Sequence, residues 1–275
     1  MHIRTHKRTK NRFLRCHGLW IRDFTDPLGV CINPNEMYST NDLQQIAENE
    51  SVNATHKNFL RLGEQKFRCE KAVIVSDGYG YEEKQKWLET LPQDVVLFLV
   101  NGSLAKYALK RPVNFYVATN PYPDCVDCLP AKYFPACLTT VRTYHGFNQR
   151  YRGQKYLFDY SLSRQFGDRK MDQLVVDDYR SPVATAMILA WKLGARHILL
   201  LCCDQSFNKS RDGSVPLPNG LHCFPQHLLG QDIVDAHAYW LKGRGVSLAD
   251  WSSGREYAHL PYIPEAMKAQ EFFTK

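Results

Sequence analysis

Four short apolar runs constrain this chain more than any other feature. They are KAVIVS at 71–76, DVVLFLV at 94–100, NFYVAT at 114–119 and HILLLCC at 197–203. Each has the length of a buried strand, and none alternates apolar with polar residues. Strands of that kind are covered on both faces, which is the habit of parallel sheets. Between the runs lie helix-like patterns: EEKQKWLETL at 82–91, SLAKYALK at 103–110 and SPVATAMILAWKLG at 181–194. A further helix pattern, QDIVDAHAYWLKGRG at 231–245, precedes a last strand pattern, VSLADWS at 246–252. The alternation predicts an α/β fold with a doubly wound, mostly parallel sheet. The 181–194 helix is apolar on nearly every side, so it belongs in the interior. Pro182 suits its first turn and Gly194 its C-terminal exit.

The remaining segments are less regular. Residues 40–62 form one or two polar amphipathic helices, with Thr40 as N-cap and Gly63 as stop. Residues 121–170, rich in Pro, Tyr, Phe and Arg, are expected as a loop-rich lid or insertion, and LVVDD at 174–178 as a strand. The division expected is a basic irregular extension at 1–39, a helical lead-in at 40–63, the main α/β domain at 64–260 and a tail at 261–275.

Charge and cysteine content narrow the classes. The formal net charge is +7, and six Lys or Arg fall within the first fifteen residues. That arm suits contact with nucleic acid or an anionic surface, or simple solvation. No apolar run is long enough for a transmembrane helix, and the basic N-terminus lacks the apolar segment of a signal peptide. Nine cysteines at irregular spacings fit free thiols in a reducing cytosol better than a disulfide framework. Cys125 and Cys128 form a lone CxxC, a weak zinc signal without a partner pair. No metal site is expected from it.

In a doubly wound sheet ligands bind at the carboxyl ends of the strands, so those residues carry the functional reading. After the first run come Ser76, Asp77, Gly78 and Gly80. Glycines there let a backbone approach a phosphate, ahead of a helix N-terminus. After the second run come Asn101 and Gly102, after the third Asn120. Arg180 and Ser181 open the buried helix, and Asp204 and Ser206 follow HILLLCC. Together they suit a nucleotide's base, ribose and phosphate. His222 and His227 follow in sequence, and a histidine can act as a general base near neutral pH. His197 and His237 are expected to be structural.

Taken in order, these pieces resemble a group of Rossmann-like proteins. One branch holds the MptE-like 6-hydroxymethylpterin diphosphokinases and the motility accessory factors; the other holds the bacterial CMP-sialic-acid sialyltransferases. The matching segments are SDGYG at 76–80, VNGS at 100–103, ATNPY at 118–122 and, most specific, SPVATAMILAWKLGARHILLLCCDQSF at 181–207. The resemblance covers about residues 64–253. It implies a nucleotide-activated donor, a CMP-sugar or ATP, and an acceptor glycan or small alcohol. It implies nucleotide contacts at Asp77, Gly78, Asn101, Asn120, Ser181 and Asp204, and catalysis by His227 with Asp232. Three departures stand out: Tyr79-Gly80 in place of Pro-Ser, Asp at 77, and CCD in place of G-x-D. In the diphosphokinase alternative Mg2+ would sit on carboxylates such as Asp77, Asp204 or Asp177 and Asp178. In the sialyltransferase-like reading the leaving phosphate would instead meet Tyr179, Arg180, Lys209 or Arg211, and NKSRDGSVPLPNG at 208–220 is expected either as a closing loop or as a disordered surface loop. A non-catalytic nucleotide- or nucleic-acid-binding module is the third expectation.

Overall fold

The computed structural model describes residues 13–16, 19–22, 40–56, 58–62, 65–130, 134–160, 175–176, 181–217, 219–252, 257–263 and 266–274. The main sheet has eight strands. In chain order they are β1 (Phe59–Arg61), β2 (Lys71–Val75), β3 (Val95–Val100), β4 (Phe115–Ala118), β5 (Ala136–Thr139), β6 (Lys155–Leu157), β7 (His197–Leu201) and β8 (Ser247–Trp251). Their spatial order is β8-β7-β2-β3-β4-β5-β6-β1, and every neighbouring pair is parallel. This is the Rossmann-like α/β sheet that the apolar runs predict.

The chain enters the sheet body at β2, steps outward through β3, β4, β5 and β6, and then crosses back to lay β7 on the other side of β2. The strand order therefore reverses between β2 and β7. Successive residues of each strand point to opposite faces. Ala72, Ile74, Phe98, Val100, Ile198 and Leu200 pack on one face with α4 (Pro182–Lys192) and α5 (Pro225–Lys242). Val73, Val75, Leu97, Leu99, Leu199 and Leu201 pack on the other with Trp87, Leu88, Phe147 and Phe273. Burial on both faces is why these strands are apolar without a break.

Helix α4 is the apolar segment expected in the interior, and Val183 to Ala190 are all buried. Ser181 caps it, its Oγ accepting from the Ala184 N–H at 3.3 Å, with Pro182 in the first turn. Gly194 ends it at φ +111°, a conformation that favours glycine.

Several expectations change. The 82–91 pattern becomes one short turn, α2 (Tyr81–Lys84), followed by a 3₁₀ segment at Gln85–Thr90. After β3 only a 3₁₀ turn forms, Asn101–Ser103. Residues 121–160 are not a loop-rich insertion: they supply β5, α3 (His145–Arg150) and β6. These strands are short, and Lys155 and Thr139 break the apolar pattern that marks the others. Phe13–Cys16 and Leu19–Arg22 pair as an antiparallel hairpin. Val175–Val176 pairs in parallel with Asp159–Tyr160.

Helix α1 (Thr40–Asn53) lies against the body of the sheet through buried amides. The Asn49 Nδ2 donates to the carbonyls of Pro121 (2.8 Å) and Arg142 (3.2 Å). The Asn53 Nδ2 donates to Val141 and Thr143, both at 2.7 Å. Glu50 pairs with Arg142 at 2.9 Å. Near the C-terminus, α6 (Ala266–Glu271) and the residues after it bring Ala269 and Phe273 into the core. No described helix is long and apolar enough to cross a membrane.

Candidate functional site

The loops after β2 and β7 meet directly. The ladder between these strands runs past their ends: the Ser76 N–H donates to Leu201 O at 3.1 Å and the Gly78 N–H to Cys202 O at 3.0 Å. A Cβ on Gly78 would stand 2.6 Å from the Cys202 carbonyl oxygen and 2.4 Å from Asp204 Oδ1. Gly78 is thus the residue that lets two strand-end loops close on each other. Gly102 does the same one strand over, where a Cβ would stand 2.5 Å from Asp77 Oδ2. Gly80 differs: its φ of +79° requires glycine, and a Cβ there would meet only the Lys84 side chain.

Backbone strain gathers at the same ends. Asn101 (φ 55°), Cys202 (φ 53°) and Gln205 (φ 53°) are the non-glycine residues of positive φ among those described. Such conformations persist where the surroundings over-determine them, and they cluster at functional sites.

Asp77 is half-buried and lies 3.5 Å from Lys106 Nζ. Its charge reaches His227 near the start of α5. Burial holds the His227 imidazole below its ordinary pKa, with the Gln205 backbone and Asp77 acting the other way. The ring is therefore neutral at neutral pH, and its Nδ1 has no hydrogen-bond partner among the described residues. Asp232 follows five residues later on the same helix, about 140° around its axis, so the two do not share a face.

Asp204 is fully buried; Ser206 Oγ donates to its Oδ2 at 2.8 Å, and Gln231 Nε2 donates to its carbonyl. Asp250, at the end of β8, is also buried. Ser252 donates to its Oδ1 from both N–H (3.2 Å) and Oγ (2.6 Å). Burial raises the Asp250 carboxyl pKa to about 7, and the nearby Asp204 charge adds to the rise. Lys84 reaches the same end, its Nζ 3.1 Å from the Trp251 carbonyl.

A cavity of about 150 Å³ opens beyond this closed seam, at the carboxyl ends of β3 and β4. Asn101, Thr119, Asn120, Cys125, Cys128 and Pro182 are among its walls. Asn101 Nδ2 stands 3.4 Å from Ser76 Oγ, which ties the cavity to the first loop. Asn120 is engaged locally: its Oδ1 accepts from the Tyr122 N–H (2.9 Å) and its Nδ2 donates to Asp124 Oδ1 (3.1 Å). The 208–220 loop, in its described part, folds as a ribbon, Val215–Pro216 against His222–Cys223. Arg211 stacks at 4.4 Å on Phe207, and His222 pairs with Phe207 through the backbone.

Of the residues singled out from sequence, the structure brings Ser76, Asp77, Gly78, Asn101, Gly102, Asp204, Ser206 and His227 to one end of the sheet. Asn120 lines the cavity, and Ser181 directly precedes Pro182, which lines it too. Arg180, with Asp177, Asp178 and Tyr179, lies outside the described residues. Among the described residues no group of three or more His, Cys, Asp or Glu is placed to hold a metal ion. Sequence reasoning missed Lys84, Lys106 and Asp250. Asp250 was findable, because it ends the strand pattern VSLADWS and the strand-end rule applies there too.

The fold and the crevice define a Rossmann-like α/β protein. No family profile matches the chain, and no curated protein does. Among solved structures it is similar to the MAf glycosyltransferase from Magnetospirillum magneticum AMB-1, with a TM-score of 0.59 at 12% identity. The alignment covers 84% of this chain and 41% of that one, so the chain spans less than half the length of this neighbour. At that identity the likeness is one of fold.

Proposed function

We propose that this chain is a nucleotide-dependent transferase that moves a group from a nucleotide-activated donor to a hydroxyl acceptor, in the manner of a glycosyltransferase. The observation that carries the reading is the cavity at the ends of β3 and β4, walled by Asn101 and Asn120 and continuous with the loop that holds Asp77. Pockets for whole drug-sized ligands are about 300–1,000 Å³. A cavity of about 150 Å³ suits one ring, such as a base, with the rest of the donor lying in the open crevice. The fold neighbour's name, a glycosyltransferase, supports the same class.

In this reading His227 is the base. A neutral imidazole takes the proton of the acceptor hydroxyl as its oxygen bonds the donor's anomeric carbon. The bond from that carbon to the phosphate oxygen breaks, and the nucleotide leaves with the electron pair. The finer proposal is a CMP-sugar donor without metal. Asp77 faces Lys106 and Asp204 is bonded by Ser206, an arrangement that favours this over carboxylates gathered for Mg2+.

The test is donor turnover. Purified protein is incubated with a panel of sugar nucleotides, including a CMP-sialic acid, with EDTA or with Mg2+. Release of free nucleotide that EDTA spares and His227→Ala abolishes is expected. Turnover of ATP that needs Mg2+ would instead favour the diphosphokinase alternative, and release unaffected by His227→Ala would remove the assigned base.

A further inference from the structure

Two thiols share the wall of the cavity, and the proposed transfer uses neither. Cys125 and Cys128 lie on the 3₁₀ segment Pro123–Cys128 and both line the cavity. In a 3₁₀-helix residues three apart are eclipsed, about 6 Å apart along the axis. Disulfides bridge Cα atoms roughly 4.4–6.8 Å apart. Eclipsed side chains leave the Cβ atoms about as far apart as the Cα atoms, beyond the roughly 3.5–4.5 Å that a disulfide spans, so the pair bridges only when this turn tightens. Cys128 also adds to the rise of the Cys125 thiol pKa, after burial and Asp124.

We propose that Cys125 and Cys128 form a reversible dithiol–disulfide site in the cavity wall, oxidised by exchange with small disulfides that enter the cavity. Cys128 is partly exposed and Cys125 is buried, which orders the steps. The Cys128 thiolate attacks the small disulfide, forms a mixed disulfide and expels one thiol. The Cys125 thiolate then attacks the Cys128 sulfur and expels the second. The chain loses two hydrogens, and one small disulfide is reduced to two thiols. Burial and the Asp124 and Asp127 charges hold the Cys125 thiol up at about 12; burial first, then Asp77, Asp124 and Asp127, hold Cys128 at about 11, with Lys106 opposing. Both are protonated at neutral pH, so exchange is slow and Cys128 is the better starting nucleophile.

Closure would act on the cavity through the same turn. Asp124 lies on it and accepts from Asn120 Nδ2 at 3.1 Å, so a bridge from 125 to 128 stiffens the segment that holds Asn120. The proposal concerns the same cavity as the transferase reading but does not depend on it.

The test treats the reduced, folded full-length protein with hydroxyethyl disulfide, quenches in acid and maps the peptides by mass. The expected product is a Cys125–Cys128 disulfide, two hydrogens lighter than the dithiol and restored by dithiothreitol. Cys125→Ser should accumulate the mixed disulfide at Cys128, and Cys128→Ser should leave Cys125 unmodified. A persistent mixed disulfide at Cys128 in the unsubstituted protein would overturn the proposal. So would a bridge to the buried Cys137, or no reaction at either thiol where the unfolded chain reacts. If Cys125→Ser fails to fold, the unsubstituted protein and Cys128→Ser still decide.

Discussion

Gly78 packs directly against Asp204: a Cβ added at Gly78 would stand 2.4 Å from the Asp204 carboxylate and 2.6 Å from the Cys202 carbonyl oxygen. The second contact is backbone and cannot swing away. Gly78→Ala should therefore destabilise the fold by about 1–3 kcal/mol, the usual cost of overpacking. Gly102→Ala should cost less, because the atom it meets is the tip of the Asp77 side chain. Urea unfolding of both variants beside the parent protein checks the order.

Asp77 acts on His227 by raising its pKa against the lowering effect of burial. Asp77→Asn should lower the His227 pKa further, since the favourable charge is gone and the burial remains. A proton NMR titration of the His227 ring reads this directly. An upward shift would show that the two are not coupled as described.

Asp250 gives the protein a pH dependence of known sign. Its folded pKa is raised to about 7 from the ordinary 3.8. A raised pKa means the folded state binds more protons, so the contribution is fully present below about pH 4 and is lost as pH rises to about 7. Asp250→Asn keeps the shape of the neutral acid and removes the titration. The stability of the variant relative to the parent should rise between pH 5 and pH 8, as read by urea unfolding at both. His237 runs the other way: burial lowers its pKa to about 4 from 6.5, so its contribution is lost as pH falls between those values. It is common to both proteins and cancels in the difference.

Asn53 donates to two buried carbonyls, Val141 and Thr143, and Thr143 is part of the cavity wall. Asn53→Ala leaves both without that donor. A loss of about 1–3 kcal/mol is expected for buried acceptors left unpaired. Thermal unfolding measures it, and an unchanged melting temperature would mean that α1 is not a clamp on this loop.

The sheet was legible because its central strands are buried on both faces, so β2, β3, β4 and β7 announce themselves as unbroken apolar runs. Strands β5 and β6 did not, because each is short and Thr139 and Lys155 interrupt the pattern. The strand-end rule pointed to Asp77, Asn101 and Asp204, and the family resemblance to His227. The same rule gave Gly78 and Gly80 a phosphate-approaching role, and at Gly78 the close contacts are with the loop after β7. Pairwise matters such as Lys106 with Asp77, or Asn49 and Asn53 with a loop about 90 residues on, depend on tertiary approach, and no local pattern encodes them.

The central claim is that the crevice at the ends of β2, β3 and β4 binds a nucleotide. A thermal-shift series with CMP, CDP, UDP, GDP, ATP and AMP, each with and without Mg2+, tests it most directly, because a ligand that binds only the folded state raises its melting temperature. The account predicts stabilisation by CMP or CDP without metal. No shift with any of the six would contradict it.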